Sequence, residues 1–122
     1  FLIAAVRRQS ERLGRFYGVH VEVKSDISSH LKGRIAAEAF QIISEGLSNI
    51  LRHTAAKSAF VTILCENSML LVKIGNEAPD SPPGAESFIP RSIYERTRAL
   101  GGTVYVEQRP DGYTVVHVTI PM

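Results

Sequence analysis

Residues 31–53 read LKGRIAAEAFQIISEGLSNILRH and form the longest amphipathic stretch of the chain. Its apolar side chains recur three and four positions apart, which is the period of an α-helix with one buried side. Polar side chains, among them Glu45, Asn49 and Arg52, occupy the rest of its circumference. The stretch therefore predicts a long helix that packs on a core, and the other elements can be placed around it.

The segments on either side predict a mixture of helix and strand. Residues 1–17 carry apolar side chains at a loose helical spacing and are followed by Gly18, a stop signal. Valines alternate with polar residues over 19–24, as in a half-buried strand. After the long helix, two apolar runs at 59–65 and 69–74 flank Asn67 and Ser68, which predicts a hairpin.

The last third of the chain repeats this alternation. Residues 75–87 hold three prolines and two glycines, a composition typical of a loop. Pro90 can occupy the first turn of a helix that runs to Leu100 and stops at the two following glycines. Two further strands, one at 104–106 and one at 116–120, are separated by the turn Pro110-Asp111-Gly112.

These elements predict an α+β fold: a two-layer α/β sandwich with a mixed, mainly antiparallel sheet and its helices on one face. The 122 residues suit one domain with one core, so residues 1–122 are expected to form a single domain. Because the chain begins with Phe in what reads as the middle of a helix, we expect it to be a fragment of a longer protein.

Composition excludes several classes of partner. The net charge of +2 comes from basic residues scattered among acidic ones, so no nucleic-acid binding is expected. No apolar run approaches the roughly 20 residues that span a bilayer, so this fragment is expected to make no membrane contact. The single cysteine, Cys65, excludes an intrachain disulfide and suits a reducing, cytoplasmic location.

Glu45, Asn49 and His53 follow one another at intervals of four, so they lie on one side of the predicted helix. Asn49 can offer a carbonyl oxygen to Mg2+, which prefers oxygen ligands and keeps several waters. Glu45 can act on a metal-bound or attacking water, and His53 or Arg52 can approach phosphate oxygens. On spacing alone, an ordinary solvated helix face remains the alternative.

Four longer segments of the sequence help to decide between a ligand-binding helix face and an ordinary solvated one. EAFQIISEGLSNILRHT, GNEAP, YERTRALGG and DGYTVVHVTIP follow one another in this order, with two predicted strands between the first and the second. From residue 31 to residue 122 this order resembles the ATP-binding domain of sensor histidine kinases, in the Bergerat or GHKL ATPase superfamily that includes gyrase. It looks closest to the branch with a short lid. The resemblance implies ATP and Mg2+ as ligands.

The resemblance also implies roles for individual residues. Asn49 falls on the asparagine that coordinates magnesium, and Glu45 falls on the glutamate that holds a metal-bound water or acts as the catalytic base. His53, with Arg52 beside it, falls near the phosphates. Thr114 falls on the threonine that supports the adenine contact through a water, although an ordinary strand threonine is the alternative.

The glycine motifs of that family are altered here. Asn76 stands where the family has the aspartate that accepts a hydrogen bond from adenine, and Ala78 replaces the first glycine after it. Residues 87–90 (SFIP) stand where the family has the lid glycines, and Pro90 lacks the N–H that such a lid offers to phosphate. Ser87 can cap the helix after the lid, and Arg91 is a candidate phosphate contact.

Two functions of different classes follow. The first is the catalytic domain of a two-component histidine kinase, which positions Mg-ATP for transfer to a histidine outside this chain. Its partners would be the dimeric phosphoacceptor domain of the same protein and a response regulator, and it would be inactive alone. The second is a degenerate domain with weak or no nucleotide binding that serves as a regulatory or interaction module. A serine kinase of the anti-sigma-factor type shares the fold but usually keeps the glycines.

Overall fold

The computed structural model describes residues 2–26, 31, 33–77 and 90–122. Three helices and five strands lie within these ranges, in the predicted order: α1 (Leu2–Tyr17), β1 (His20–Ser25), α2 (Gly33–His53), β2 (Ser58–Glu66), β3 (Met69–Glu77), α3 (Arg91–Ala99), β4 (Thr103–Gln108) and β5 (Tyr113–Pro121). No helix in the described ranges combines the length and the apolar character that crossing a bilayer requires.

The five strands form one sheet in the order β1-β2-β3-β5-β4. β1 and β2 are parallel because α2 carries the chain back along the sheet between them, and the other three pairs are antiparallel. Asn67 and Ser68 both adopt positive φ in the turn that joins β2 to β3. The predicted fold class, a mixed and mainly antiparallel sheet with helices on one face, is confirmed.

One row of side chains shows how the sheet faces the helices. Ile74 of β3 lies opposite Val61 of β2 and Val116 of β5, and Val23 and Val106 continue the row on the outer strands. Val61 and Ile74 are almost completely buried. This apolar row is the centre of the surface on which α2 packs.

α2 lies very close to the sheet at Gly46. A β-carbon at this position would lie 2.7 Å from Cδ1 of Ile74 and 3.3 Å from its Cγ2. The missing side chain of Gly46 therefore lets the helix settle directly on β3, and Ile42, Ile43, Leu47 and Ile50 complete a buried face around it.

The outer helices flank α2 on opposite sides. Ser44 Oγ donates a hydrogen bond to Gln9 Oε1 of α1 at 2.9 Å. On the other side, Arg96 of α3 forms an ion pair with Glu38 of α2 at 3.2 Å. The two contacts leave α2 as the central helix, with α3 beside the part of its circumference that carries Glu38.

The predicted loop at 75–87 begins too early, because β3 continues through Glu77. Gly75 to Glu77 pair with Val115, Thr114 and Tyr113 of β5, and the first two also pair with β2. Gly75 belongs in the strand because the Phe60 ring lies where its β-carbon would stand. Pairing on both sides thus outweighs the local glycine and proline signal.

The helix boundaries differ slightly from those predicted. α2 begins at Gly33 rather than near Leu31. The N-cap position of α3 is occupied by Pro90, without a side-chain capping bond, and the helix begins at Arg91. Ser87, which was predicted to cap this helix, lies outside the described residues.

Two glycines give opposite expectations for substitution by alanine. Gly102→Ala is expected to lower the free energy of unfolding by about 2 kcal/mol or more, because the new β-carbon would overlap the backbone carbonyl oxygen of Thr119. Gly14→Ala is the control: its nearest neighbour is Val19 O at 3.6 Å, so alanine at this exposed position of α1 is expected to raise the free energy of unfolding by about 0.5–1 kcal/mol. Urea unfolding followed by circular dichroism measures both, and effects of the same sign would contradict the packing argument.

Candidate functional site

The end of α2 and one end of the sheet meet because only residues 54–57 join them. Thr54 closes the helix: its Oγ1 donates to the carbonyl oxygen of Ile50 at 2.6 Å and accepts from Ala56 N at 3.2 Å. β2 then starts at Ser58, and its Ala59 lies opposite Asn76 of β3. The last turn of α2 therefore lies at the same edge of the sheet as Asn76.

At this edge the helix-facing side of the sheet becomes polar, and its residues Asn76, Thr114 and Gln108 are called the polar edge below. Asn76 lies opposite Thr114 of β5, and Thr114 lies opposite Gln108 of β4. Directly opposed residues in an antiparallel pair have their β-carbons about 4.5–5.5 Å apart and point to the same face. Asn76 and Thr114 are thus neighbours on the face that α2 covers, two positions beyond apolar Ile74.

Asn76 is buried, with 8% of the residue's surface exposed, and a hydrogen bond orients its side chain. Its Nδ2 donates to the carbonyl oxygen of Glu77 at 3.0 Å. A carbonyl oxygen only accepts hydrogen bonds, so the nitrogen of the amide must face it. The amide oxygen is therefore the end of this side chain that can accept a hydrogen bond from a ligand.

Glu45, Asn49 and His53 form a stripe along one side of α2, and the helix brings this stripe toward the end of the sheet that carries Asn76. From the contact of Gly46 with Ile74, Asn49 lies about one turn further toward the polar edge, since a helix rises about 1.5 Å per residue. Glu45 and Asn49 are half-buried, whereas Arg52 and His53 are exposed in the last turn. The Arg52 cation at this end also interacts favourably with the helix dipole, so Arg52 has a structural role beside any phosphate contact.

The amide oxygen of Asn49 has no hydrogen-bond partner among the residues that the structure describes. Oδ1 is buried, and no donor reaches it from any residue that the structure describes. Buried polar atoms are rarely left in this state because each costs about 1–3 kcal/mol. An unpaired, buried oxygen at the polar edge is suited to a metal ion or to another ligand that offers positive charge.

The number and type of oxygen ligands available here suit Mg2+. Within the described ranges, no three His, Cys, Asp or Glu side chains are grouped so that they could hold a metal by themselves. Mg2+ usually takes one or two protein oxygens and completes its shell with waters and substrate phosphates. The Asn49 oxygen, with the Glu45 carboxylate one turn away for a water, matches that requirement.

α3 borders the same side of α2. Glu38, which pairs with Arg96 of α3, lies seven residues before Glu45, so the two carboxylates project from nearly the same side of the helix. The stripe from Glu45 to His53 therefore faces the side on which α3 packs. The candidate site is the space bounded by α2, the polar edge of the sheet and α3.

Not every predicted site residue is brought to this space. Asn49 and Glu45 share one side of α2, and Asn76 and Thr114 are adjacent on the sheet. The Arg91 side chain is 91% exposed and pairs with Glu95 at 3.0 Å, so in this structure it extends into solvent. Ala78 lies outside the described residues.

Sequence reasoning missed the residues that join the parts of the site. Glu77 accepts a hydrogen bond from Lys57 N at 2.8 Å through its Oε1, and Thr54 ends α2. The threonine directly after the helical period was a usable signal, since Thr side chains bond to nearby backbone. No pattern in the sequence signalled the contact between Glu77 and Lys57, which are 20 residues apart.

Comparison with known proteins shows similarity of sequence to a histidine kinase. No family model matches the chain. The signal transduction histidine-protein kinase/phosphatase UhpB of Salmonella typhimurium is 31% identical over 91 residues, which are 66% of this chain. The chain spans only 18% of the length of that protein.

Solved structures of histidine kinases share the fold over nearly the whole chain. The ATP-binding domain of PrrB from Mycobacterium tuberculosis matches 98% of the chain, with 93% of its own length covered, a TM-score of 0.74 and 15% identity. The histidine kinase domain of the Erythrobacter litoralis blue-light activated kinase EL346 matches 98%, with 64% of its own length covered, a TM-score of 0.70 and 21% identity. Histidine kinase ThkA in complex with the response regulator TrrA matches 98%, with 39% covered, a TM-score of 0.70 and 17% identity. This chain therefore has the fold of the ATP-binding catalytic domain of histidine kinases.

Proposed function

We propose that this chain binds Mg-ATP between α2, the polar edge of the sheet and α3, and positions the γ-phosphate for transfer to a histidine of a longer sensor kinase. Phosphoryl transfer needs positioning and charge neutralisation more than covalent help from the protein. The fold and the polar edge supply the first requirement, and the stripe on α2 supplies groups for the second.

The buried, unpaired Oδ1 of Asn49 is the observation that carries this proposal. Asn49 would hold Mg2+ through this oxygen, and the bound ion would offset the negative charge of the phosphates. Glu45, one turn earlier on the same side of α2, would hold a water beside the ion or act as a base. His53 and Arg52, at the exposed end of the helix, would contact phosphate oxygens.

The adenine ring of the nucleotide would bind at the polar edge of the sheet. Because Asn76 Nδ2 is engaged by Glu77 O, its Oδ1 is presented as an acceptor, as the adenine amino group requires. A neutral amide forms a weaker hydrogen bond than a carboxylate does. Thr114, directly opposite Asn76, would support this contact through a water. Ala78 and Arg91 stay predictions for the parts of the site nearest the lid.

The proposed partners come from the same class of protein. Transfer requires a phosphoacceptor histidine domain, which would belong to the same protein and act within a dimer. The complex of ThkA with TrrA supports a response regulator as the downstream partner. We place the domain in the cytoplasm, where ATP and such partners are found, and we expect the fragment to be inactive without the phosphoacceptor domain.

A second candidate function is a regulatory or interaction module that binds nucleotide weakly or not at all. The N-terminus of α3 favours it, because Pro90 occupies the cap position without an N–H and Arg91 pairs with Glu95. A helix N-terminus normally offers backbone N–H groups to phosphate. Here those donors are fewer than in a glycine-rich lid.

Substitution of Asn49 tests the metal site. Asn49→Ala is expected to weaken binding of Mg-ATP at least tenfold and to remove most of its dependence on Mg2+, because the oxygen ligand is lost. Isothermal titration calorimetry with and without Mg2+ measures both effects. Gln41→Ala, an exposed position on the same helix, is the control and should bind as the wild type does. Unchanged binding by Asn49→Ala would exclude this site.

The two candidate functions differ in how affinity depends on the phosphates. For a kinase domain, the affinity of the wild type should rise from AMP to ADP to ATP when Mg2+ is present, because each phosphate adds contacts. For the regulatory module, affinity should be undetectable at millimolar nucleotide or equal for the three. Calorimetric titration with each nucleotide separates these outcomes.

Asn76→Asp is expected to destabilise the unliganded chain by about 2 kcal/mol at pH 7.5, because a buried carboxylate cannot donate to Glu77 O. Burial raises the pKa of such a carboxyl. The loss should therefore be complete at neutral pH and shrink as the pH falls through that raised pKa, where the protonated carboxyl can donate again. Asn67→Asp in the exposed β2–β3 turn is the control, with an expected effect within about 0.5 kcal/mol. Thermal unfolding between pH 5 and 8 measures both, and a loss that grows on acidification would contradict this account.

A further inference from the structure

Glu77 touches two parts of the proposed nucleotide site at once. Its carbonyl oxygen accepts from Asn76 Nδ2 at 3.0 Å, which orients the amide proposed to face the base. Its side-chain Oε1 accepts from Lys57 N at 2.8 Å, in the segment that follows α2. One residue therefore contacts both the base side and the segment that joins α2, which carries the metal and phosphate side, to β2.

The segment 54–57 is held at several points. Thr54 fixes its start to the end of α2, and Lys57 O accepts a hydrogen bond from His20 N of β1 at 2.8 Å. Within the described part of the chain, these four residues reach β3, the strand of Asn76, through the hydrogen bond from Lys57 N to Glu77.

This bond extends the contact between β2 and β3 beyond the end of their ladder. The last paired residues are Ala59 and Asn76, so Lys57 and Glu77 lie past the backbone pairing. A carboxylate that accepts from a backbone N–H forms a bond about twice as strong as a neutral one. The Glu77 side chain thus holds β3 at a fixed distance from Lys57, at a point where β2 and β3 are no longer joined by backbone pairing.

We propose that Glu77 is a positioning residue, which holds the end of α2 at a set distance from Asn76. This inference rests on the proposed function. The carboxylate keeps the metal- and phosphate-facing groups, Asn49 and His53, in register with the base-facing amide. A ligand that bridges both parts depends on that distance, whereas a ligand that occupies the base side alone does not.

The test compares Mg-ADP with adenosine, which lacks the phosphates, in binding titrations of the 122-residue chain followed by NMR. Glu77→Ala is expected to weaken Mg-ADP about tenfold and adenosine by less than about twofold, because the backbone bond to Asn76 remains. Glu77→Gln keeps an acceptor oxygen and should restore Mg-ADP affinity to within about threefold of wild type. Glu66→Ala, an exposed glutamate at the other end of β2, is the control and should bind both ligands as wild type does.

Each other outcome contradicts the inference. Unchanged Mg-ADP binding in Glu77→Ala would show that the bond positions nothing. Equal losses for adenosine and Mg-ADP, or an equal loss in Glu66→Ala, would indicate general destabilisation. If the wild-type chain binds no Mg-ADP, the proposed function fails and this inference fails with it. If the wild type binds and Glu77→Ala binds equally well, the positioning role alone is overturned.

Discussion

Gly46 lies over Ile74 with so little space that a single β-carbon would come within 2.7 Å of the isoleucine Cδ1. This close approach sets the height of α2 above the sheet. With the height and direction of the helix fixed, Asn49 one turn later must lie near the polar edge, and Glu38 must lie toward α3. The packing of one glycine on one isoleucine thus places the groups that face the candidate site, because interiors this dense do not tolerate a shift.

The sheet is apolar toward the helices until its last row, and the change of character marks the site. The row through Ile74 is made of valine and isoleucine, whereas the row through Asn76 continues into Thr114 and Gln108. A buried polar group is retained without cost only when its hydrogen bonds are made. Asn76 meets this condition through Glu77, whereas the Asn49 oxygen finds no donor in the described part of the chain. Departures of this kind from good packing are typical of functional sites.

Much of the architecture follows from periodicity, and the exceptions have physical reasons. The helices, strands and turns were predictable because apolar spacing and glycine or asparagine signals are local properties. The onset of the loop at Gly75 was predicted wrongly because pairing on both sides of β3 is not local. The stripe on α2 follows from spacing alone, but the adjacency of Asn76 and Thr114 follows from the strand register, which the order of segments does not reveal. The hydrogen bond between Glu77 and Lys57 was not predictable, since its acceptor and donor have no shared pattern.

The proposed site has a charged part on α2 and an uncharged part on the opposite side. On α2, a carboxylate, an amide oxygen and cations remain in one stripe. On the opposite side the proposed acceptor for the adenine base is the neutral amide of Asn76, and the N-cap of α3 is a proline. If nucleotide binds, the metal and phosphate contacts must therefore supply more of the binding free energy than the base contact does. Nucleotide binding in such a domain depends strongly on the position of α2 relative to β3. A displaced α2 would weaken the metal and phosphate contacts, which are the stronger ones. In our proposal, that dependence is the physical reason why the connector is held at Thr54 by Ile50 and at Lys57 by Glu77 of β3.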